Sequence, residues 1–270
     1  MSRYTLLAWL VLPAFVVADD SKWSTVKGKV IFDDSAVKVP VPGRVNTGAA
    51  AVPACAAADK DFKTEEWIVD PKTKGVKNVI VWIGLDQTPA ELAKLKAKRA
   101  DLPGFSGDQV HPALAKGGKT IELDQPCCRF IPRVLVARAG DVLNIKNSAN
   151  FPHNVFWNSD ANGAFNNLIA AGANLEVKNL KAERSPLVVS CTIHPWMKFY
   201  LKVFDHPYFA VTNAAGEFEI KNVPVGRGRI VLWHEEGLLT ATDGLWYGEP
   251  LAVKEKETVT RDFKLTPPKP

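Results

Sequence analysis

Short runs of alternating apolar and polar residues recur along this chain, broken by glycine, proline, asparagine and aspartate. Residues 25–32, 76–82, 134–137, 142–146, 174–177 and 199–204 all follow this pattern at least in part. A side-chain period of two, bounded by turn formers, predicts strands with one face on a core. So many short strands at this spacing predict an all-β sandwich architecture. Ala139-Gly140-Asp141 supplies a tight-turn signal between two of them. One helix interrupts the pattern. Thr88-Pro89-Ala90-Glu91 reads as a capping box with proline at the first helical position, and Leu92 and Leu95 share a face. It is expected near 89–99, ending before Pro103-Gly104. Its run of Lys94, Lys96, Lys98 and Arg99 reads as a solvated helix face.

A seven-residue stretch adds chemistry to this β-rich frame. Cys191-Thr192-Ile193-His194-Pro195-Trp196-Met197 sets a thiol, an imidazole and a thioether at intervals of three, after the apolar run 187–189. A soft thiolate, an imidazole and a weak axial thioether suit copper that shuttles one electron. The set lacks a second imidazole. Asn150-Phe151-Pro152-His153-Asn154-Val155, 38 residues upstream of Cys191, offers His153. Each of these residues alone reads equally well as a core side chain, a surface histidine or half of a disulfide. It is their coincidence that points to a metal.

These residues resemble the cupredoxins, the small blue-copper proteins. The Cys-x-x-His-x-x-Met loop with Pro195 and Trp196 is similar to that of amicyanin, and Phe151-Pro152-His153-Asn154-Val155 to the first-histidine region of plastocyanin and amicyanin. The resemblance spans roughly residues 130–203. It implies a Greek-key sandwich with one type 1 copper, His153, Cys191 and His194 as equatorial ligands and Met197 as the axial one. Asn154 matches the residue whose backbone amide bonds the ligand sulfur. The resemblance further implies that His153 and Cys191 are buried. His194 would then lie near the surface, with Pro195 and Trp196 offering an apolar patch to a redox partner such as a cytochrome or a dehydrogenase.

Residues 1–18 read as a signal peptide, with Arg3 ahead of an apolar stretch of some 14 residues and small residues at Val16 and Ala18. That stretch is short for a membrane span, which needs about 20 residues, and no later segment is apolar enough to cross. A periplasmic or secreted protein is therefore expected. Removing Arg3 leaves the formal charge of +5 one unit lower. Dispersed over the chain, so mild an excess serves solubility and gives no sign of nucleic-acid binding. Oxidising surroundings also bear on the cysteines. With Cys191 given to the metal, Cys55, Cys127 and Cys128 remain, enough for one disulfide. A bridge between the adjacent pair would be strained, so Cys55 is expected to pair with Cys127 or Cys128. Cys128 is favoured because Arg129-Phe130-Ile131 would pin it at a strand start.

From about His206 the pattern changes. Residues 216–226 form a strand running into a Pro/Gly turn, and 229–233 the next strand. This segment resembles the carboxypeptidase regulatory-like, transthyretin-like sandwich and the β-sandwich modules of rhamnogalacturonan lyases. The Gly-x-Val opening of such modules has its nearest match at Gly28-Lys29-Val30, so a sandwich built from both ends of the chain is expected. The division is 1–18 signal peptide, 19–125 β-rich region partly completing the C-terminal sandwich, 126–205 copper-binding core and 206–270 second sandwich.

Function narrows accordingly. His111, His206 and His234 are widely spaced and form no His-x-His pair for a catalytic copper, and neither a Gly-x-Ser-x-Gly nor a His-Glu-x-x-His run occurs. A non-enzymatic electron carrier is the leading reading. The alternative is a scaffold or binding sandwich in which copper is structural or stored. Carbohydrate is then the ligand suggested by the lyase-type modules, with Trp233 and Trp246 as aromatic platforms.

Overall fold

The computed structural model describes residues 20–35, 38–43, 63–98, 100–238 and 247–265. The expected signal peptide, Cys55 and Trp246 lie outside them. Among the described residues no helix is long and apolar enough to cross a membrane.

The described residues are all-β apart from one helix and three short 3-10 turns. In order run β1 (Trp23–Phe32), β2 (Ile80–Leu85), helix α1 (Pro89–Lys98) and β3 (Thr120–Leu123). Then come β4 (Val134–Arg138), β5 (Val142–Lys146), β6 (His153–Ser159), β7 (Gly163–Ile169) and β8 (Asn174–Val177). Next are β9 (Leu187–Ser190), β10 (Lys198–Phe204), β11 (Phe209–Val211), β12 (Glu217–Pro224) and β13 (Gly226–His234). β14 (Gly237–Leu238), β15 (Glu249–Val253), β16 (Thr258–Thr260) and β17 (Phe263–Leu265) are the last described strands. The capping box at α1 forms as its sequence requires. The Thr88 N–H donates to Glu91 Oε2 at 2.8 Å, and the Glu91 N–H donates to Thr88 Oγ1 at 3.3 Å. The helix buries no residue.

Four sheets stack in layers. The first orders β12-β1-β16, with β17 also on β1; the second orders β11-β2-β13-β14, with β15 on β13. The third is β4-β10-β9-β6-β7 and the fourth β3-β5-β8. Three apolar layers fill the gaps. Val26, Val30, Phe218 and Phe263 of the first sheet meet Val81, Ile83, Ile230 and Leu232 of the second. Ile80, Trp82, Val231 and Trp233 on the second sheet's other face meet Val134, Tyr200 and Phe204 of the third. Phe199, Leu201 and Val203, together with Val155, Trp157 and Val189, face Leu123, Leu143 and Ile145 of the fourth. β2 and β10 therefore lie between two apolar layers and read as nearly continuous hydrophobic runs, because both their faces are buried.

Strand β1 sits between β12, which it pairs antiparallel, and β16 and β17, which it pairs parallel. Both ends of the described chain thus build the outer sandwich, and the strands from β3 to β10 build the inner one between them. β3 pairs with β5, so that sandwich begins ahead of residue 126. Gly28 is required where β1 crosses the turn before β17. A β-carbon there would stand 1.8 Å from the Arg261 carbonyl oxygen, which no rotamer relieves.

The interface between the sandwiches is closed at one end by a buried ion pair. Arg133, just ahead of β4, donates from Nε to Glu235 Oε1 at 2.7 Å and from Nη2 to Oε2 at 2.6 Å. Those side chains are only 9% and 4% exposed. Glu65 lies 4.0 Å from the guanidinium's Nη1 and Glu66 4.0 Å from its Nη2. Burial raises the Glu65 carboxyl above its usual range, against the pull of Arg133 and Arg129.

At the other end of the interface, His206 is buried among Phe105, Phe204 and Tyr208, and its Nδ1 accepts the Tyr208 N–H at 3.1 Å. Burial first, then the Lys202 and Arg138 charges, lower its pKa to about 3. A histidine so depressed binds its proton in the unfolded chain before it does in the folded one. Its stabilising effect is therefore complete above the unfolded value of about 6.5 and is lost as pH falls toward 3. His206→Asn keeps the acceptor and removes the titration. Urea unfolding at stepped pH should show a flatter acid limb for this variant. An unchanged slope between pH 6.5 and 4 would contradict the assignment.

Candidate metal centre

The two histidines and the cysteine converge at one end of the inner sandwich. His153 opens β6, and its register with Ile169 of β7 directs the side chain into the core shared with Val155 and Trp157. Cys191 follows β9 directly. The Cys191 N–H donates to the Met197 carbonyl at 3.2 Å and the Met197 N–H to the His194 carbonyl at 2.8 Å. These two bonds close residues 191–197 into a tight loop that returns into β10, turning all three donor side chains inward. Cys191, His194 and Met197 are each 1% exposed and His153 is 0% exposed.

The Nδ1 atoms of His153 and His194 face each other at 3.1 Å, and Cys191 Sγ lies 3.6 Å from His194 Nδ1. At bond lengths of about 2.05 Å to nitrogen and about 2.3 Å to sulfur, usual for zinc at these donors, such separations subtend roughly 100° and 110° at a shared ion. Each of these two pairs, imidazole with imidazole and Cys191 with His194, is thus spaced as two ligands of one cation are. Burial, and then the neighbouring His194, lower the His153 pKa to about 4. Burial lowers His194 as well. Both rings are therefore neutral at pH 7 with lone pairs free to ligate, as a metal requires. Two neutral rings meeting nitrogen to nitrogen can share only one proton, and neither Nε2 finds a partner among the described residues. A cation held by both Nδ1 atoms ends the competition for that proton, with each ring then carrying its hydrogen on Nε2.

Asn154 acts through its side chain. Its Oδ1 accepts both the Thr192 N–H and the Thr192 hydroxyl at 2.9 Å, and its Nδ2 donates to Asn166 on β7. The residue after His153 thereby locks the residue after Cys191 across the site. Phe151 packs against both imidazoles, with ring centroids 4.9 and 6.2 Å away, and Trp196 lies 5.2 Å from His194.

This packing corrects the expectation that His194 lies near the surface. Phe151, Trp196 and the neighbouring imidazole leave it 1% exposed, and the exposed members of the loop are Thr192, Ile193 and Pro195. Exogenous imidazole therefore has no open path to a cavity at position 194. The remaining histidines are elsewhere: His111 stands edge-on to Trp23, and His234 packs on Trp67 at 4.2 Å. Trp233, offered as a sugar platform, is 7% exposed and packed between the sandwiches, which removes it from that role.

One contributor was not foreseen. The Cys128 sulfur and the imidazoles of His153 and His194 lie within 4.8 Å of one another. Cys128 is disulfide-bonded, whereas Cys191, 3.6 Å from His194 Nδ1 but outside that group, is a free thiol, as is Cys127. Nothing in the sequence signals this approach, since it depends on how residues 124–131 fold over the loop. Trp196 Nε1 fixes it by donating to the Cys128 carbonyl at 3.0 Å.

No family model matches the sequence, and no curated protein does. Among solved structures, a purple cupredoxin from Nitrosopumilus maritimus aligns at 18% identity over 31% of this chain and 98% of its own, with a TM-score of 0.27. A reduced mutant of amicyanin aligns at 22% identity over 34% and 86%, with a TM-score of 0.29. A Cu(I) structure of another amicyanin mutant gives 19%, 37%, 90% and 0.29. These likenesses cover about a third of the chain, and the case for a metal rests on the donor geometry.

Proposed function

We propose that this protein is a one-electron carrier with a single type 1 copper held by His153, Cys191, His194 and Met197, and that it is not an enzyme. The observation that supports the reading is the buried pair of facing Nδ1 atoms with the free Cys191 thiol 3.6 Å from one of them, in a loop that also buries Met197. Copper bound there supplies the Cu(II)/Cu(I) couple, which a soft thiolate with a weak axial thioether tunes. The chain's own residues supply the rest. β6 carries His153, the loop between the paired strands β9 and β10 carries the other three, and the Asn154–Thr192 bonds tie that loop to β6, so the donors hold their places in either oxidation state. Phe151 and Trp196 keep water from the imidazoles.

A partner such as a cytochrome or a dehydrogenase meets the exposed loop positions Thr192, Ile193 and Pro195, where a small, wet contact allows quick release. Export to a periplasm or the exterior goes with this role. The outer sandwich, similar in its strand pattern to carboxypeptidase regulatory-like modules, serves as the rigid platform.

A spectroelectrochemical titration tests the carrier reading. Reversible one-electron cycling with the metal retained is expected. Release of the metal on reduction would favour storage instead. Met197→Leu should keep copper and raise the reduction potential, because the lost thioether favours Cu(II). Voltammetry checks it, and a lowered potential or loss of the metal would remove Met197 from the axial position.

A further inference from the structure

We propose that Cys128 is a latent second thiolate of this centre, withheld by its disulfide and released when a dithiol reductant opens that bond. The proposal rests on the metal reading above. Four facts on the inner sandwich carry it. Cys128 is 1% exposed and shares the apolar layer of Cys191 and Met197. Its sulfur lies no more than 4.8 Å from donor atoms of His153 and His194, against about 3.3–3.6 Å for donors sharing one ion. It is disulfide-bonded while Cys191 is a free thiol. The Trp196 indole pins its backbone to the ligand loop. Freed from the bridge, the side chain needs only a small shift to join the other donors.

The step balances simply. A dithiol gives up two electrons and two protons and closes its own S–S bond; the protein S–S bond breaks and two cysteine thiols form. The Cys128 thiol then loses its proton on binding the cation, since only the thiolate ligates. The donor set changes from two imidazoles, one thiolate and a thioether to one with two thiolates. Thiolate-rich sets select Cu(I) and Zn(II), so reduction would convert a centre suited to cycling into one that holds a closed-shell ion. Linkage makes the effect reciprocal. A cation that stabilises the Cys128 thiolate favours reduction of the disulfide by the same factor that reduction raises its own affinity.

Cobalt(II) alone is the probe, titrated into the full chain as purified, after phosphine reduction, and in Cys55→Ser, which removes the partner that the sequence leads one to expect for Cys128. Thiolate-to-cobalt absorption counts the sulfurs. It should roughly double per cobalt on reduction and in Cys55→Ser, and return to the one-thiolate level when Cys128→Ser is added. In parallel, cobalt should slow alkylation of Cys128 in the reduced protein by more than about tenfold, read by peptide mass spectrometry in a Cys127→Ala background. Chemical reduction keeps the test open if Cys55→Ser fails to fold. An unchanged one-thiolate band, with Cys128 alkylated equally fast with and without cobalt, would overturn the proposal. A band that appears only after reduction would overturn the Cys191 reading and leave Cys128 as the donor.

Discussion

Cys191→Ser is expected to abolish the visible band of the copper-loaded protein and to weaken copper binding by more than about 100-fold. Loss of a residue that merely orients a ligand costs 10- to 100-fold, and here the ligand itself goes, exchanged for a hydroxyl with little affinity for a soft ion. The fold should survive. Serine is nearly the same size, and its hydroxyl would lie where the thiol now meets His194 Nδ1 at 3.6 Å. The cost of burying it is therefore at the low end of about 1–3 kcal/mol. Absorption, copper content and circular dichroism decide the matter together. A variant that keeps its band would place the thiolate elsewhere.

The second large effect concerns the joint between the sandwiches. Arg133→Met strands the Glu235 carboxylate, 4% exposed, without its bidentate partner. Breaking a buried pair in this way costs about 3–5 kcal/mol, whereas replacing both members with apolar residues is often neutral or stabilising. Arg133→Met should therefore lower the urea midpoint steeply, and Arg133→Met with Glu235→Leu should recover most of the loss. A single variant that loses less than about 1 kcal/mol would mean that water reaches the pair. Arg133 also lines a cavity with Pro195, Trp196 and Met197, so the single variant should disturb the copper spectrum as well.

The strands were legible wherever one face met a core and the other met solvent. β5 and β8 are read within their observed bounds, and β1, β4 and β12 nearly so. The alternation failed in two ways. Along β2 it was blurred because sheets on either side bury both faces, a property of the stacking that no single segment records. β7 was passed over because its run Gly163-Ala164-Phe165-Asn166-Asn167 looks polar, although Phe165 stacks on Trp157 at 3.9 Å and Ile169 is buried. The expected strand at 76–82 starts only at Ile80, because Asn78 takes a left-handed turn with φ of 67°.

The metal site divides along the same line. That His153 and His194 face each other beside Cys191 was legible, because one seven-residue loop carries Cys191 and His194 and the local context singled out His153. The burial of His194 was not legible, since Phe151 and Trp196 cover it only after the loop folds back on β6. Nor was the approach of Cys128, which comes from a segment more than 60 residues away in sequence.

The most direct test of the central claim is a copper(II) titration of the purified protein, followed by visible absorption and metal analysis. One equivalent should bind, with an intense thiolate-to-copper band that saturates at that equivalent. Binding with no such band, or none at all, would contradict the blue-copper account.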